Sequence, residues 1–319
     1  MHTEVRRKPS RRQLRSKIFT GAALKIKYLN LNRRAPPVAR ISGIKELYLK
    51  SNELRQDVIR MLDSAKSGHT AGPLGMADIF AALYFNILNH DPKQPNWGKR
   101  DLFYLSNGHI CPIWYAALAH AGYFPRSELL TFRKINSRLQ GHPHRGELPG
   151  VENSGGPLSQ GISIAVGAAI AAKMDKLSRT IYVGMSDGEC EEGQTWEAFM
   201  MAGNRKLDNL IAVQDRNNIQ IDGFTSDIMS IEPFEQKMQS FNWNTIVIDG
   251  NNMAEVLKAF GEAKRTKGRP TMIIAKTIPG KGVSFMENDY KWHGKPPKHE
   301  EAEKALKELE AEKERIRTS

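Results

Sequence analysis

A chain of 319 residues with 40% hydrophobic residues is long enough to bury the core of one large α/β domain or two small ones. Its two cysteines, Cys111 and Cys190, exclude a disulfide-stapled scaffold and are expected to be free thiols. The formal charge of +12 is concentrated at one end, because residues 1–40 hold twelve Lys or Arg against a single acid, Glu4. The remaining body is therefore close to neutral and lacks the basic face of a nucleic-acid reader, so no nucleic-acid partner is expected.

The first 40 residues are expected to form a basic, solvated extension. Its Arg-rich, acid-poor character is shared with organellar presequences, although an organism-specific extension accounts for it equally well, and a cytoplasmic location is expected. No apolar run approaches the roughly 18 residues of a membrane span.

In chain order, "IKELYLKSNELRQDVIRMLDSAK" has helical periodicity and ends at Ser67-Gly68, where His69 begins a loop. "MADIFAALYFNIL" follows as a second helix, and "DLFYLS" is a strand leading into "NGH". A small-residue helix, "SQGISIAVGAAIAAKM", comes after Gly155-Gly156. "TIYVGM" is a strand ending at Ser186-Asp187-Gly188, "GQTWEAFMMAGNRK" is helix-compatible up to Gly203 and Asn204, and "LIAVQD" is a strand ending at Arg216-Asn217-Asn218. "NTIVID" and "TMIIAKT" are two more strands, with "MAEVLKAFGEAKR" as the helix between them. The βαβ pattern predicts an α/β fold, a doubly wound parallel sheet with helices on both faces. Three regions are expected: the extension at 1–40, the α/β domain at 41–299, and a charged helix or tail at 300–319.

A crossover connection between "TIYVGM" and "LIAVQD" sets both carboxyl ends on one sheet edge, where open α/β sheets bind ligands. Asp187 and Asn217 would then offer one anionic and one neutral oxygen to a small hard cation such as Mg2+, which fills its octahedron with phosphate oxygens and water. Asp-Gly and Asn-Asn are also ordinary turn formers, so this pairing alone leaves both readings open.

The segment Ser186 to Asn217 resembles the thiamine-diphosphate motif of the transketolase family, usually Gly-Asp-Gly and, roughly thirty residues on, Asn. Here Ser186 stands for the first glycine. The stretches "SAKSGHTAGPLGMADI", "LSNGHICPIWYAAL", "LQGHPHRGELPGVENSGGPLSQGISIAVGAA" and "KGVSFMENDYKWHG" resemble transketolase segments in the same order, together covering Ser64 to Gly294. The resemblance implies that Asp187, Asn217 and the backbone carbonyl of Ile219 hold Mg2+ for thiamine diphosphate. It implies that His69 and His293 handle substrate hydroxyl protons, that His109 lies beside the diphosphate and the reacting carbon, and that His142 contacts an oxygen at the donor's end. Gly156, Leu158 and Gly188 would line the cofactor. Glu192 would sit at a subunit interface, linked to the partner's catalytic glutamate and thereby to the cofactor.

Each assignment has a plainer alternative. A lone loop histidine is most often a surface residue or a helix-end hydrogen bonder, which is the expectation for His120 and His144. Four glycine-flanked histidines on separate loops of one edge are harder to explain that way. Glu189 and Glu191 are expected to be exposed acids at a helix N-terminus, favoured by the dipole. Lys281, in "PGKGVSF", is either a solvated loop lysine or a residue that closes over the site. Thr70 replaces the proline that the family usually carries after the first histidine.

The function implied is that of the N-terminal subunit of a split transketolase, moving a two-carbon ketol unit between a ketose phosphate and an aldose phosphate. Fused relatives carry a further, pyrimidine-binding domain whose glutamate meets the cofactor. Another chain would supply it here, in a tetramer of two such chains and two partners. The alternatives are another thiamine-diphosphate activity, deoxyxylulose-phosphate-synthase-like or directed at an unusual sugar, and a non-catalytic homologue. Retention of proton-carrying side chains beside a metal site argues against the last.

Overall fold

A computed structural model describes residues 40–319; apart from Arg40, the expected basic extension lies outside the described residues. Strands β1 (Leu102–Leu105), β2 (Ile181–Ser186) and β3 (Leu210–Arg216) are followed by the hairpin of β4 (Ile219–Gln220) and β5 (Gly223–Phe224), then by β6 (Asn244–Asp249) and β7 (Thr271–Lys276). Five of them form one sheet in the order β1-β2-β3-β7-β6, every neighbouring pair parallel. This is the doubly wound parallel sheet expected from the sequence.

The strands read as nearly continuous apolar runs because both faces of such a sheet are covered. Period-two alternation sorts their side chains between two cores. Ile181, Val183 and Met185 of β2 pack with α5 (Gln160–Met174), α6 (Gly193–Asn204) and α8 (Phe234–Ser240). Tyr182, Ile211 and Ile273 face the other core, with α1 (Ile44–Ala65), α4 (Cys111–Ala121) and α9 (Met253–Arg265).

A short helix, α2 (Ala71–Gly75), precedes the second expected helix, which is α3 (Ala77–Ala82) running into a π-helical turn, Leu83–Ile87. Helices α4 and α8 were not expected from periodicity. Nearly every residue of α4 is buried, so it has no polar face to reveal a stripe. The last helix, α10 (His299–Thr318), buries Ala302, Ala305 and Leu309 and is fastened to α1, where Asn52 Nδ2 donates to the Leu309 carbonyl at 2.8 Å. The four-residue α7 (Thr225–Ile228) completes the helices named here. Among the described residues no helix is long and apolar enough to cross a membrane.

Candidate active site

Ser186 pairs with Asp215 in the register of β2 and β3, so Asp187 and Asn217 leave neighbouring strands at the same carboxyl edge. Asp187 is fully buried; its Oδ1 accepts the Gly188 N–H at 2.8 Å and its Oδ2 accepts the Asn218 N–H at 2.6 Å. Burial pushes its carboxyl up to about 6, against the opposing pull of the Arg216 guanidinium at 3.3 Å and the two backbone donors. Asn217 accepts the Ile219 N–H on Oδ1 at 3.0 Å and donates from Nδ2 to Asp215 Oδ2 at 2.8 Å. Asp215, itself buried, also takes the Thr277 hydroxyl, and burial raises its carboxyl to about 8.

The four glycine-flanked histidines come from four loops and converge. Ring centroids lie 5.0 Å apart for His69 and His109, 5.6 Å for His69 and His293, 5.1 Å for His109 and His293, and 6.4 Å for His69 and His142. Two contacts show how the loops are brought together. Thr70, where the family usually has proline, donates its hydroxyl to the Lys295 carbonyl at 2.6 Å and so ties the His69 loop to the His293 loop. A Cβ on Gly108 would come within 3.1 Å of the Gly155 Cα, so only glycine lets the His109 turn meet the Gly155-Gly156 segment backbone to backbone.

Burial holds His69 and His293 near 4, and also lowers His142 and, most strongly, His109, so all four are neutral at neutral pH. This has a consequence for stability. Between pH 6.5 and 4 the unfolded chain binds protons that folded His69 and His293 refuse, so stability falls as pH falls through that window. Thermal melting is expected to show a steeper loss from pH 7 to pH 5 in the wild type than in a His69→Asn/His293→Asn double variant; equal slopes would show that these imidazoles are not desolvated.

An open cavity of about 770 Å³ lies beside His142, walled by Arg133, Lys134, His144 and Glu147. Arg133 joins two histidine loops, donating to Ser67 Oγ at 2.7 Å and to the Gly141 carbonyl at 3.3 Å. Glu192 is exposed just before α6, and Leu158 and Lys281 are half-buried, Lys281 standing 3.8 Å from Glu287. His120 closes α4 and pairs with Asp57 at 2.8 Å, while His144 is exposed. Both cysteines are free and buried, and burial raises their thiols.

One expectation is corrected. Glu189 is not an exposed helix-terminal acid: it is fully buried, and its carboxylate accepts the Ser106 hydroxyl, the Ser159 N–H at 2.6 Å and the Ser186 N–H at 3.2 Å. The cause is local. The helix begins only at Gly193, and a 3-10 turn, Gly188–Glu191, precedes it and folds the Glu189 side chain back beneath the sheet edge. Ser186, in the glycine's place, supports that turn by accepting the Glu189 N–H at 3.3 Å. Glu191 is half-buried and accepts both its bonds from Gln220 Nε2. Asp215, Arg216 and Arg133 also went unrecognised; the only signal for Asp215 is an acid closing an otherwise apolar strand.

The residues present fit a diphosphate cofactor with its cation. A Cβ on Gly156 would meet nothing within 4 Å, which leaves open space beside the His109 turn. His69 Nδ1 and His293 Nδ1 are buried with no hydrogen-bond partner among the described residues. No cluster of three His, Cys, Asp or Glu side chains that could hold a metal occurs among the described residues, so a cation here would rely on the mixed set of one carboxylate, one amide and one carbonyl oxygen completed by phosphate.

Comparison with known proteins agrees with this geometry. Residues 49–316 match the thiamine diphosphate binding domain of transketolase. The chain is 42% identical over 267 residues to a 6-deoxy-6-sulfo-D-fructose transketolase subunit of Clostridium sp. (strain MSTE9), covering 84% of this chain and 97% of that one. It is 40% identical to an apulose-4-phosphate transketolase subunit of Actinobacillus succinogenes, again with 84% and 97% coverage. The crystal structure of Campylobacter jejuni transketolase superposes with a TM-score of 0.79 at 34% identity, covering 86% of this chain but 46% of that one. With a family match over most of its length and relatives that it covers almost completely, the chain belongs to the transketolase family.

Proposed function

We propose that this chain is the diphosphate-binding subunit of a two-chain transketolase that transfers a two-carbon ketol unit from a ketose phosphate to an aldose phosphate. The observation that carries the reading is the convergence of His69, His109, His142 and His293, on loops of the fold whose strands β2 and β3 lead directly into Asp187 and Asn217. Asp187, Asn217 Oδ1 and the Ile219 carbonyl would hold Mg2+, and Gly156, Leu158, Gly188 and His109 would border the diphosphate. Thiamine diphosphate, when bound, supplies the carbon nucleophile and the sink for the negative charge left by carbon–carbon cleavage.

The chain's own residues do the rest. Neutral imidazoles of His69 and His293 accept and return protons at substrate hydroxyls, a role for which an unprotonated nitrogen is required. His142 hydrogen-bonds the donor sugar's terminal oxygen, and Arg133 and Lys134 make the adjoining cavity cationic, which suits an anionic sugar. A sugar outside the common phosphates is a second reading, favoured by the sulfofructose and apulose-4-phosphate relatives named above. The expected setting is cytoplasmic.

The relatives named as subunits support a partner chain. That partner would carry the pyrimidine-binding domain and its glutamate, with Glu192 near the junction, in a tetramer of two and two. The purified chain is expected to show no ketol transfer with thiamine diphosphate, magnesium, a ketose phosphate and an aldose phosphate, and activity is expected on mixing with a pyrimidine-domain chain from a neighbouring reading frame. Turnover by this chain alone, shown free of partner by mass spectrometry, would overturn the two-chain reading.

A further inference from the structure

The carboxylate of Glu189 lies where three loops of the candidate site meet. Its Oε1 accepts the Ser106 hydroxyl and the Ser159 N–H at 2.6 Å, and its Oε2 accepts the Ser186 N–H at 3.2 Å. Ser106 follows β1 and precedes Asn107, Gly108 and His109; Ser159 follows Gly156 and Leu158; Ser186 precedes Asp187 and Gly188. The same residue's main chain adds to the knot, because its carbonyl accepts the Thr195 hydroxyl of α6 at 2.8 Å. Ser106 Oγ accepts the Ile162 N–H at 3.1 Å and passes the connection into the first turn of α5.

We propose that Glu189 is a positioning residue for the cofactor site: it touches neither cation nor diphosphate but fixes the spacing of the three segments that do. The cofactor part of this inference rests on the function proposed above. Two features distinguish it from an ordinary internal hydrogen-bond acceptor. Ser159 has φ +71, a left-handed conformation that a non-glycine residue adopts at a cost, and its N–H is held by the carboxylate. The three donors also come from parts of the chain about 27 to 80 residues apart, at positions 106, 159 and 186, so no local turn supplies this acceptor to all of them.

Glutamine at this position is nearly isosteric but offers one acceptor oxygen and one N–H₂ group. Whichever way it turns, a donor must face the Ser186 N–H on one side, or the Ser159 N–H and Ser106 hydroxyl on the other. Ser106 Oγ has a second lone pair besides the one that serves Ile162 and can turn to accept, but the Ser159 and Ser186 N–H groups cannot reverse, so the mismatch falls on one of those two segments. A neutral amide is less costly to bury than a carboxylate, so the global melting temperature of Glu189→Gln is expected to stay within about 5 °C of the wild type.

The test uses the full chain for exchange and melting, and the chain assembled with its pyrimidine-domain partner for cofactor affinity. In hydrogen–deuterium exchange, Glu189→Gln is expected to speed exchange by about tenfold in the segments the side chain ties, 106–110, 159–163 and 186–190, most where the amide N–H₂ faces a backbone N–H, while leaving β6, β7 and α10 as in the wild type. Calorimetric affinity for thiamine diphosphate with magnesium is expected to weaken by about 10–100-fold, the range seen when an outer partner of a ligand site is lost. Ser106→Ala, which removes one donor and keeps the carboxylate, is expected to give a smaller change in the same segments. Unchanged exchange at all of 106–110, 159–163 and 186–190 would overturn the proposal, as would uniform acceleration with a collapsed melting temperature in both variants, the mark of simple destabilisation. Loosened loops with wild-type cofactor affinity would also overturn it. A wild-type assembly of this chain with its pyrimidine-domain partner that takes up no cofactor would instead remove the functional reading on which the inference rests, and the two failures are distinguishable because the exchange measurement needs no cofactor.

Discussion

Asp187→Ala is expected to lower magnesium-dependent thiamine diphosphate affinity by about 100-fold or more, beyond the cost of losing an outer partner, because it removes the one carboxylate of the proposed donor set. The apo fold should survive. Burial of this carboxylate is incompletely offset by Arg216 and two N–H donors, as its raised pKa shows, so the charge costs the folded chain stability. Arg216 keeps its second partner, Glu232. Asp187→Asn should therefore melt near the wild-type temperature, the saved burial of charge offset by an amide N–H₂ set against the Gly188 or Asn218 N–H, while binding the cation poorly. Asn217→Ala should weaken the cofactor in the same way but also leave the buried Asp215 carboxylate without its amide donor, and its melting temperature is expected to fall. Calorimetry of each variant at several magnesium concentrations separates the two effects. Wild-type magnesium dependence in Asp187→Ala would eliminate the assignment of this edge as the cation site.

The edge itself was legible because its sequence signals are local. Two apolar runs of strand length end at Ser186-Asp187-Gly188 and Arg216-Asn217-Asn218, and pairing them in parallel leaves little choice about where those residues lie. The histidines were legible for a similar reason, each being flanked by glycine in a loop. Glu189 was not, because Glu189, Glu191 and Glu192 are chemically alike in the sequence. Their fates diverge only through the direction of a single 3-10 turn, which buries the first, half-buries the second and exposes the third. Asp215 was concealed in another way: it closes a strand that is apolar up to Val213, and the bonds that occupy it come from Thr277 on another strand's exit and from Asn217. Helices α4 and α8 escaped notice because one is buried all round and the other is seven residues long, too short for a periodic pattern.

The largest kinetic effect is expected from His69 and His293, whose Nδ1 atoms are buried without hydrogen-bond partners among the described residues. In the assembled enzyme, His69→Ala and His293→Ala should each lower kcat by about 10²–10⁴-fold, the range for loss of a positioned general acid or base. An unpartnered ring nitrogen is costly to bury, and these two are retained side by side with centroids 5.6 Å apart. The protonation state gives the sharper test. Since burial holds both imidazoles near 4, kcat should be level from about pH 6 to pH 8 and decline only as acid protonates them, unlike the behaviour of solvent-exposed histidines titrating near 6.5. His69→Asn, which keeps a hydrogen-bonding amide but cannot carry the proton, should retain cofactor affinity and lose kcat nearly as severely as His69→Ala. His109→Ala should behave differently, weakening cofactor binding along with turnover, because its loop meets the Gly155-Gly156 segment proposed to border the diphosphate. A kcat within about twofold of wild type in both His69→Ala and His293→Ala would show that neither moves a proton in the reaction, and that their convergence serves packing alone.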